Sequence, residues 1–231
     1  MDSLFASLLS EAIKNIVKYF RGEKKNIFLI GMERSGKSCF YDRLKTKSTL
    51  DKRNKCLKMK SHNTEYSIKL LKYKEDIPDA LKAEDAIVFF MFDIYLYMCD
   101  TLYRLKTNSL LDYIYRNSHT NNDFQVVLMG THINEFFQKV LSNRAFAAGI
   151  LSDLPYNTAE EKKYFQDRLF KYRKEEEDFR NNTSNEVLKQ KLKDSFFALL
   201  RGKEYQKVSD DLIPINTNRK EEIDFIINEL L

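Results

Sequence analysis

Apolar and polar positions change period several times along this chain, and each change marks an element. Ile27–Ile30 is a short apolar run, and Lys37–Lys45 follows with helical spacing. Lys47–His62 is polar and basic and predicts irregular chain. Thr64–Tyr73 alternates weakly through Tyr66, Ile68 and Leu70, the pattern of one or two strands. Ile87–Phe92 and Phe124–Met129 are continuous apolar runs, which fit parallel strands covered on both faces. Between them Leu96–Tyr115 has helical periodicity; Leu212–Ile215 predicts a last short strand and Glu221–Leu231 a closing helix. Alternation of this kind predicts an α/β fold with a doubly wound sheet and right-handed crossovers. In such sheets ligands sit at the carboxyl ends of the strands.

Two segments stand outside this rhythm. In residues 1–22, Leu4, Phe5, Leu8, Leu9, Ala12, Ile13, Ile16, Val17 and Phe20 fall at helical spacing, interrupted by Asp2, Glu11, Lys14, Asn15 and Lys18. That is an amphipathic helix. Two readings stand side by side: it lies on a membrane surface, helped by Arg21, Lys24 and Lys25, or it packs on its own domain or a partner. Residues 157–207 are strongly charged, helical in pattern and poor in β-branched residues, with a partial apolar face of Phe165, Leu169, Phe170 and Tyr172. They predict a helical insertion before the last strand. The expected organisation is an N-terminal helix over 1–22 and an α/β domain over 23–231 that carries the insertion at 157–207.

Composition narrows the class only a little. A chain of 231 residues suits one elaborated α/β domain, and 43% hydrophobic residues are ample for its core. The net charge of +5 permits an anionic partner without arguing for one, so no direct nucleic-acid contact is expected. Cys39, Cys56 and Cys99 are sparse and unevenly spaced, which fits a reducing compartment and argues against a disulfide framework or zinc site. No segment is long and apolar enough to span a bilayer.

The chemistry concentrates in Gly31-Met32-Glu33-Arg34-Ser35-Gly36-Lys37-Ser38, directly after the first apolar run. It reads G-x-x-x-x-G-K-S, a phosphate-binding loop. Gly31 and Gly36 permit a tight turn and close backbone approach to a phosphate. The helix that follows starts with unpaired amides aimed at an anion. Lys37 would neutralise the outer phosphates, and the Ser38 hydroxyl would ligate Mg²⁺. Arg34, Ser35 and Cys39 complete the cofactor-binding set, Cys39 as a small packing residue rather than a nucleophile. No catalytic residue is assigned.

Base recognition is expected after the later strands. Small GTPases carry N/T-K-x-D after a buried strand, and here Thr131-His132-Ile133-Asn134 follows Val126–Gly130. His132 can cover a purine face as the lysine stem does. Asn134 replaces the carboxylate that accepts from guanine, a loss on the order of 1.5–3 kcal/mol. Guanine is therefore preferred but by less than usual. Asn216-Thr217-Asn218 stands where GTPases place a third guanine contact. The middle motif, D-x-x-G, is missing from Leu70–Asp79. Asp76 or Asp79 is left as the candidate acid for the metal and Thr49 or Thr64 as the candidate threonine. Without a positioned water and a γ-phosphate sensor, hydrolysis should be slow or absent.

This layout resembles a divergent Ras/Arf-type small GTPase and, within that group, the beta subunit of the signal recognition particle receptor. The resemblance rests on Ser35-Gly36-Lys37-Ser38 with Cys39-Phe40-Tyr41-Asp42-Arg43-Leu44, on Ala86-Ile87-Val88-Phe89-Phe90-Met91-Phe92-Asp93, and on the charged insertion before Leu212-Ile213-Pro214-Ile215-Asn216. It implies a doubly wound P-loop NTPase fold with a small-GTPase-like sheet, GTP and Mg²⁺ as cofactors, and nucleotide-dependent pairing with the receptor alpha subunit. It also implies the cytosolic face of the endoplasmic reticulum membrane; without it, the cytoplasm is expected. The family's D-x-P-G-H switch is not visible, and its membrane span is reduced to the helix at residues 1–22. Arf-like and Roc-like GTPases, a pseudo-GTPase scaffold and a P-loop kinase using Arg168, Arg173 and Arg180 as a lid are the other readings of the same residues.

Overall fold

The computed structural model describes residues 13–14, 16–17, 20, 22–61, 63–72, 74–117, 124–132, 208–215, 217 and 220–231. The chain divides into two compact units, 1–133 with 206–231 and 134–205, and the described residues all belong to the first. The segment 157–207, expected to form a helical insertion, lies outside them, as do Asn134 and Asn216.

Along the described chain the elements are β1 (Lys24–Gly31), α1 (Lys37–Lys45), β2 (Thr49–Asp51), β3 (Cys56–Ser61), β4 (Thr64–Leu70), α2 (Ile77–Leu81), β5 (Ala86–Asp93), α3 (Ile94–Cys99), α4 (Thr101–Asn117), β6 (Gln125–Thr131), β7 (Val208–Ile215) and α5 (Lys220–Leu230). The strands form one sheet in the order β2-β3-β4-β1-β5-β6-β7. β3 runs antiparallel to β2 and to β4, and every other pairing is parallel. The fold is therefore α/β with a mixed, mostly parallel sheet.

The continuous apolar runs behave as their pattern requires. Every residue of β5 is buried, as are Ile27–Ile30 of β1. Successive side chains point to opposite faces, so both faces are covered. On one face the Phe89 ring lies 6.2 Å from Phe40 of α1 and 5.7 Å from Phe20. On the other, Phe92 lies 5.8 Å from Phe90 and 5.4 Å from Tyr97 of α3. α5 contributes Ile223, Ile226, Ile227 and Leu230, one stripe at i, i+3, i+4 and i+7. In the N-terminal helical segment Ile13, Ile16 and Phe20 are buried, and the Phe20 carbonyl accepts a bond from Tyr66 Oη at 3.3 Å. At these positions the apolar face is turned to the protein, which is the packed alternative of the two readings.

Two local structures depart from the periodicity. The stretch from Lys47, expected to be irregular, contains the β2–β3 hairpin. Asp51 builds its turn: one carboxylate oxygen accepts from the Arg53 and Asn54 amides at 3.0 and 3.1 Å, the other from Asn54 Nδ2 at 2.8 Å. Such side-chain-to-backbone bonds leave no apolar signature. The single helix expected over Leu96–Tyr115 is broken at Asp100. Its carboxylate accepts from the Tyr103 amide at 3.0 Å, starting α4. The buried Arg104 donates to the last carbonyls of α3, Tyr97 and Met98, both at 3.3 Å.

α1 and α5 are clamped together. Arg43 Nε donates to Asp224 Oδ1 at 2.7 Å, its Nη2 reaches Oδ2, and Lys47 Nζ lies 3.3 Å from Oδ1. The bond from Arg43 holds the Asp224 carboxyl down at about 2. A depressed carboxyl contributes stability that is present above the unfolded value near 4 and is lost as pH falls toward 2. Asp224→Asn is therefore expected to cost on the order of 1 kcal/mol at neutral pH, after allowance for solvent screening at a partly exposed site. It is also expected to flatten the acid limb between about pH 4 and 2, read as the slope of stability against pH in urea unfolding.

Candidate functional site

The chain leaves β1 at Gly31, turns, and enters α1 at Lys37. Neighbouring strands end at the same edge: Gly31 pairs with Met91, Asp93 with Thr131, and Thr131 with Ile215. From β1 the chain first builds β2, β3 and β4 on one side, then crosses to β5, β6 and β7 on the other. The glycine loop thus lies at the point where the strand order reverses, where open α/β sheets place their ligands.

Both glycines are required by geometry. Gly31 has φ +153°, and a Cβ there would meet the Met91 carbonyl oxygen at 1.9 Å. That oxygen accepts from the Met32 amide at 3.1 Å, so the strand backbone is drawn against the turn. Gly36 has φ +73°, and a Cβ there would meet the Thr217 methyl at 2.3 Å. Thr217, from the segment after β7, therefore closes over the loop. Arg34 takes the left-handed conformation too, at φ 60°, and is exposed, whereas Ser35 is buried.

The loop wraps the Lys37 ammonium. Lys37 Nζ donates to the Gly31 carbonyl, to the Met32 carbonyl at 2.5 Å, and to Ser35 Oγ at 3.5 Å. Burial lowers its pKa to about 8, partly offset by the Glu33 charge. No side chain caps the N-terminus of α1, where Gly36 stands at the cap. Ser38 and Cys39 are exposed in its first turn. An ammonium, unpaired helical amides and an accessible hydroxyl fit a polyphosphate carrying Mg²⁺ on Ser38.

Thr131 and His132 end β6 on the same edge. Thr131 is buried, and its Oγ1 donates to the Phe92 carbonyl at 3.1 Å. His132 adopts φ 59° and sets Nδ1 3.0 Å from Asp93 Oδ2. Asp93 was not among the expected site residues. The only signal for it was an acidic residue closing a long apolar strand.

The two threonine candidates for the switch are not brought to the loop. Thr64 starts β4 at the opposite edge of the sheet, where its Oγ1 donates to the Gly22 carbonyl at 2.6 Å. Thr49 lies level with Asn26 through Lys58 and Ser67, three strands out. It is roughly 16 Å short of Gly31 along the strand direction. The chain reverses direction at the turns between β2, β3 and β4, and spacing alone does not show at which edge each threonine falls. Asp76 is exposed in the short helical turn before α2, and Asp79 is exposed and paired with Lys82 at 2.7 Å. Directly after β4 the Leu71 amide bonds to the Leu29 carbonyl at 3.1 Å and Lys72 follows, so no acid directly follows that strand. Among the described residues no three His, Cys, Asp or Glu side chains gather as a metal site, and no helix is long and apolar enough to cross a membrane. No protein-family model matches the chain, and no curated protein sequence matches it.

Proposed function

We propose that the chain is a P-loop protein of the small-GTPase type that binds a purine nucleotide with Mg²⁺, prefers guanine, and turns it over slowly or not at all. The observation that carries this is the glycine loop at the topological switch point, with Lys37 held by its carbonyls above an uncapped α1. Thr131, His132 and Thr217 on the same edge support a base pocket beside it. The β4 end, with Leu71 and Lys72 in place of an acid and glycine, supports weak catalysis. A long-lived bound state suits an interaction subunit whose nucleotide favours one protein partner. Resemblance in sequence alone makes the signal recognition particle receptor alpha subunit, at the cytosolic face of the endoplasmic reticulum, the partner to test first.

The test is equilibrium binding of GTP and ATP followed by single-turnover hydrolysis. GTP is expected to bind more tightly, with hydrolysis no faster than on the order of 10⁻⁴ s⁻¹, the unassisted range. Equal or tighter ATP binding removes the guanine assignment. A rate near 1 s⁻¹ removes the catalytic one.

A further inference from the structure

The contacts around His132 assign its proton. Thr131 Oγ1 has one hydrogen and gives it to the Phe92 carbonyl at 3.1 Å. Toward His132 Nδ1, also 3.1 Å away, this oxygen is left as an acceptor. The second neighbour of Nδ1 is Asp93 Oδ2 at 3.0 Å, a carboxylate oxygen and again an acceptor. Two acceptors converging on one ring nitrogen require that nitrogen to be the donor. Nδ1 therefore carries hydrogen, and in the neutral ring Nε2 is a bare acceptor.

Asp93 is itself held firmly. Its Oδ1 accepts from the Leu96 amide at 3.0 Å, capping α3, and its own amide donates to Tyr103 Oη at 2.9 Å. The residue is buried at the end of β5, directly across from Thr131. One oxygen thus serves the helix, and the other serves the histidine.

We propose that Asp93 is a positioning residue for base recognition: with Thr131 it fixes the His132 ring in one orientation and tautomer, so that a purine meets a preset flat face with Nε2 free to accept. This rests on the nucleotide reading given above and adds to it the residue that sets the pocket. In place of a flexible lysine stem the arrangement sets a ring already held at Nδ1, which reduces the ordering cost of binding.

The test compares wild type with Asp93→Asn. Asparagine caps a helix as well as aspartate does, so α3 is kept. Its carboxamide then turns NH₂ toward Nδ1 and drives the ring hydrogen to Nε2. Ring ¹⁵N shifts of His132, assigned by their loss in His132→Gln, are expected to show protonated Nδ1 in wild type and protonated Nε2 in the variant. GTP affinity is expected to fall about three- to tenfold, the range of one hydrogen bond, with inorganic tripolyphosphate affinity unchanged. In a His132→Ala background Asp93→Asn should add nothing. A bare Nδ1 in wild type, an unchanged GTP affinity, or equal weakening of GTP and tripolyphosphate overturns the proposal. Wild-type protein that binds neither ligand overturns the nucleotide reading and takes the base role with it, while the ¹⁵N result still decides the tautomer.

Discussion

Lys37→Met will lose nucleotide binding and gain stability in the free protein. The ammonium sits among the Gly31 and Met32 carbonyls, and burial holds its pKa at about 8. Two charge-assisted bonds to phosphate oxygens, at about 1.5–3 kcal/mol each, correspond to roughly 10²- to 10⁴-fold in affinity. Methionine keeps the aliphatic stem, so the packing of the loop is retained. A lowered lysine means that the folded chain binds the proton less tightly than the unfolded chain does. Stability therefore increases as pH rises from about 8 toward 10.5, and below 8 the buried charge costs the fold in full. Removing it should raise the melting temperature of the free protein at neutral pH. The same proton governs the ligand, because a phosphate stabilises the ammonium and raises its pKa in the complex. Affinity in wild type should be flat below about pH 8 and weaken above it, by up to tenfold per pH unit. Calorimetry in buffers of differing ionisation enthalpy reads this as proton uptake on binding near pH 8 to 9. A pH-independent affinity, or tight binding by Lys37→Met, would sink the assignment of the loop.

The largest expected effect on stability comes from Gly31→Ala. The added Cβ would lie 1.9 Å from the Met91 oxygen, 2.7 Å from its carbon and 2.8 Å from its nitrogen, at φ +153°. These are backbone atoms of a fully buried strand, so relief requires β1 and β5 to separate. A cost of at least about 3 kcal/mol is expected, above the usual range for overpacking because a strained backbone angle is added. For a chain of this size that lowers the melting temperature by roughly 6–12 °C. Gly36→Ala provides the contrast. The atoms it meets all belong to the Thr217 side chain, the methyl at 2.3 Å and Cβ and Oγ1 at 2.9 Å, rather than to strand backbone, so the cost should be smaller and fall more on nucleotide affinity. Thermal melts of the two variants, with and without GTP, separate the cases. Equal destabilisation would mean that the strand contact at Gly31 is not what fixes the turn.

Much of the layout was legible because burial leaves a period in the sequence. Ile87–Phe92 and Phe124–Met129 read as strands covered on both faces, and in the sheet β5 and β6 each have a strand on either side. Lys37–Lys45 was bounded correctly because a glycine loop precedes it and its apolar residues, Phe40 and Leu44, recur at helical spacing. The β2–β3 hairpin was not legible, because the Asp51 carboxylate makes its turn through hydrogen bonds to Arg53 and Asn54 rather than through apolar alternation. The break at Asp100 escaped for the same reason, being a cap within a run that remains periodic on either side.

Residue order alone settles the alternation of strands and helices, the glycine loop with Lys37 and Ser38, and the lack of D-x-x-G after β4. These are local patterns, readable because each depends on residues a few positions apart. Which residues share an edge is fixed by the folded sheet. It put Thr64 and Thr49 away from the loop, closed Thr217 over Gly36, and set Asp93 against His132, 39 positions along the chain from it in sequence terms as Phe92 is from Thr131. Those pairings follow from strand order and register, which are settled by the packing of the whole sheet and leave no trace in the spacing of the residues they join.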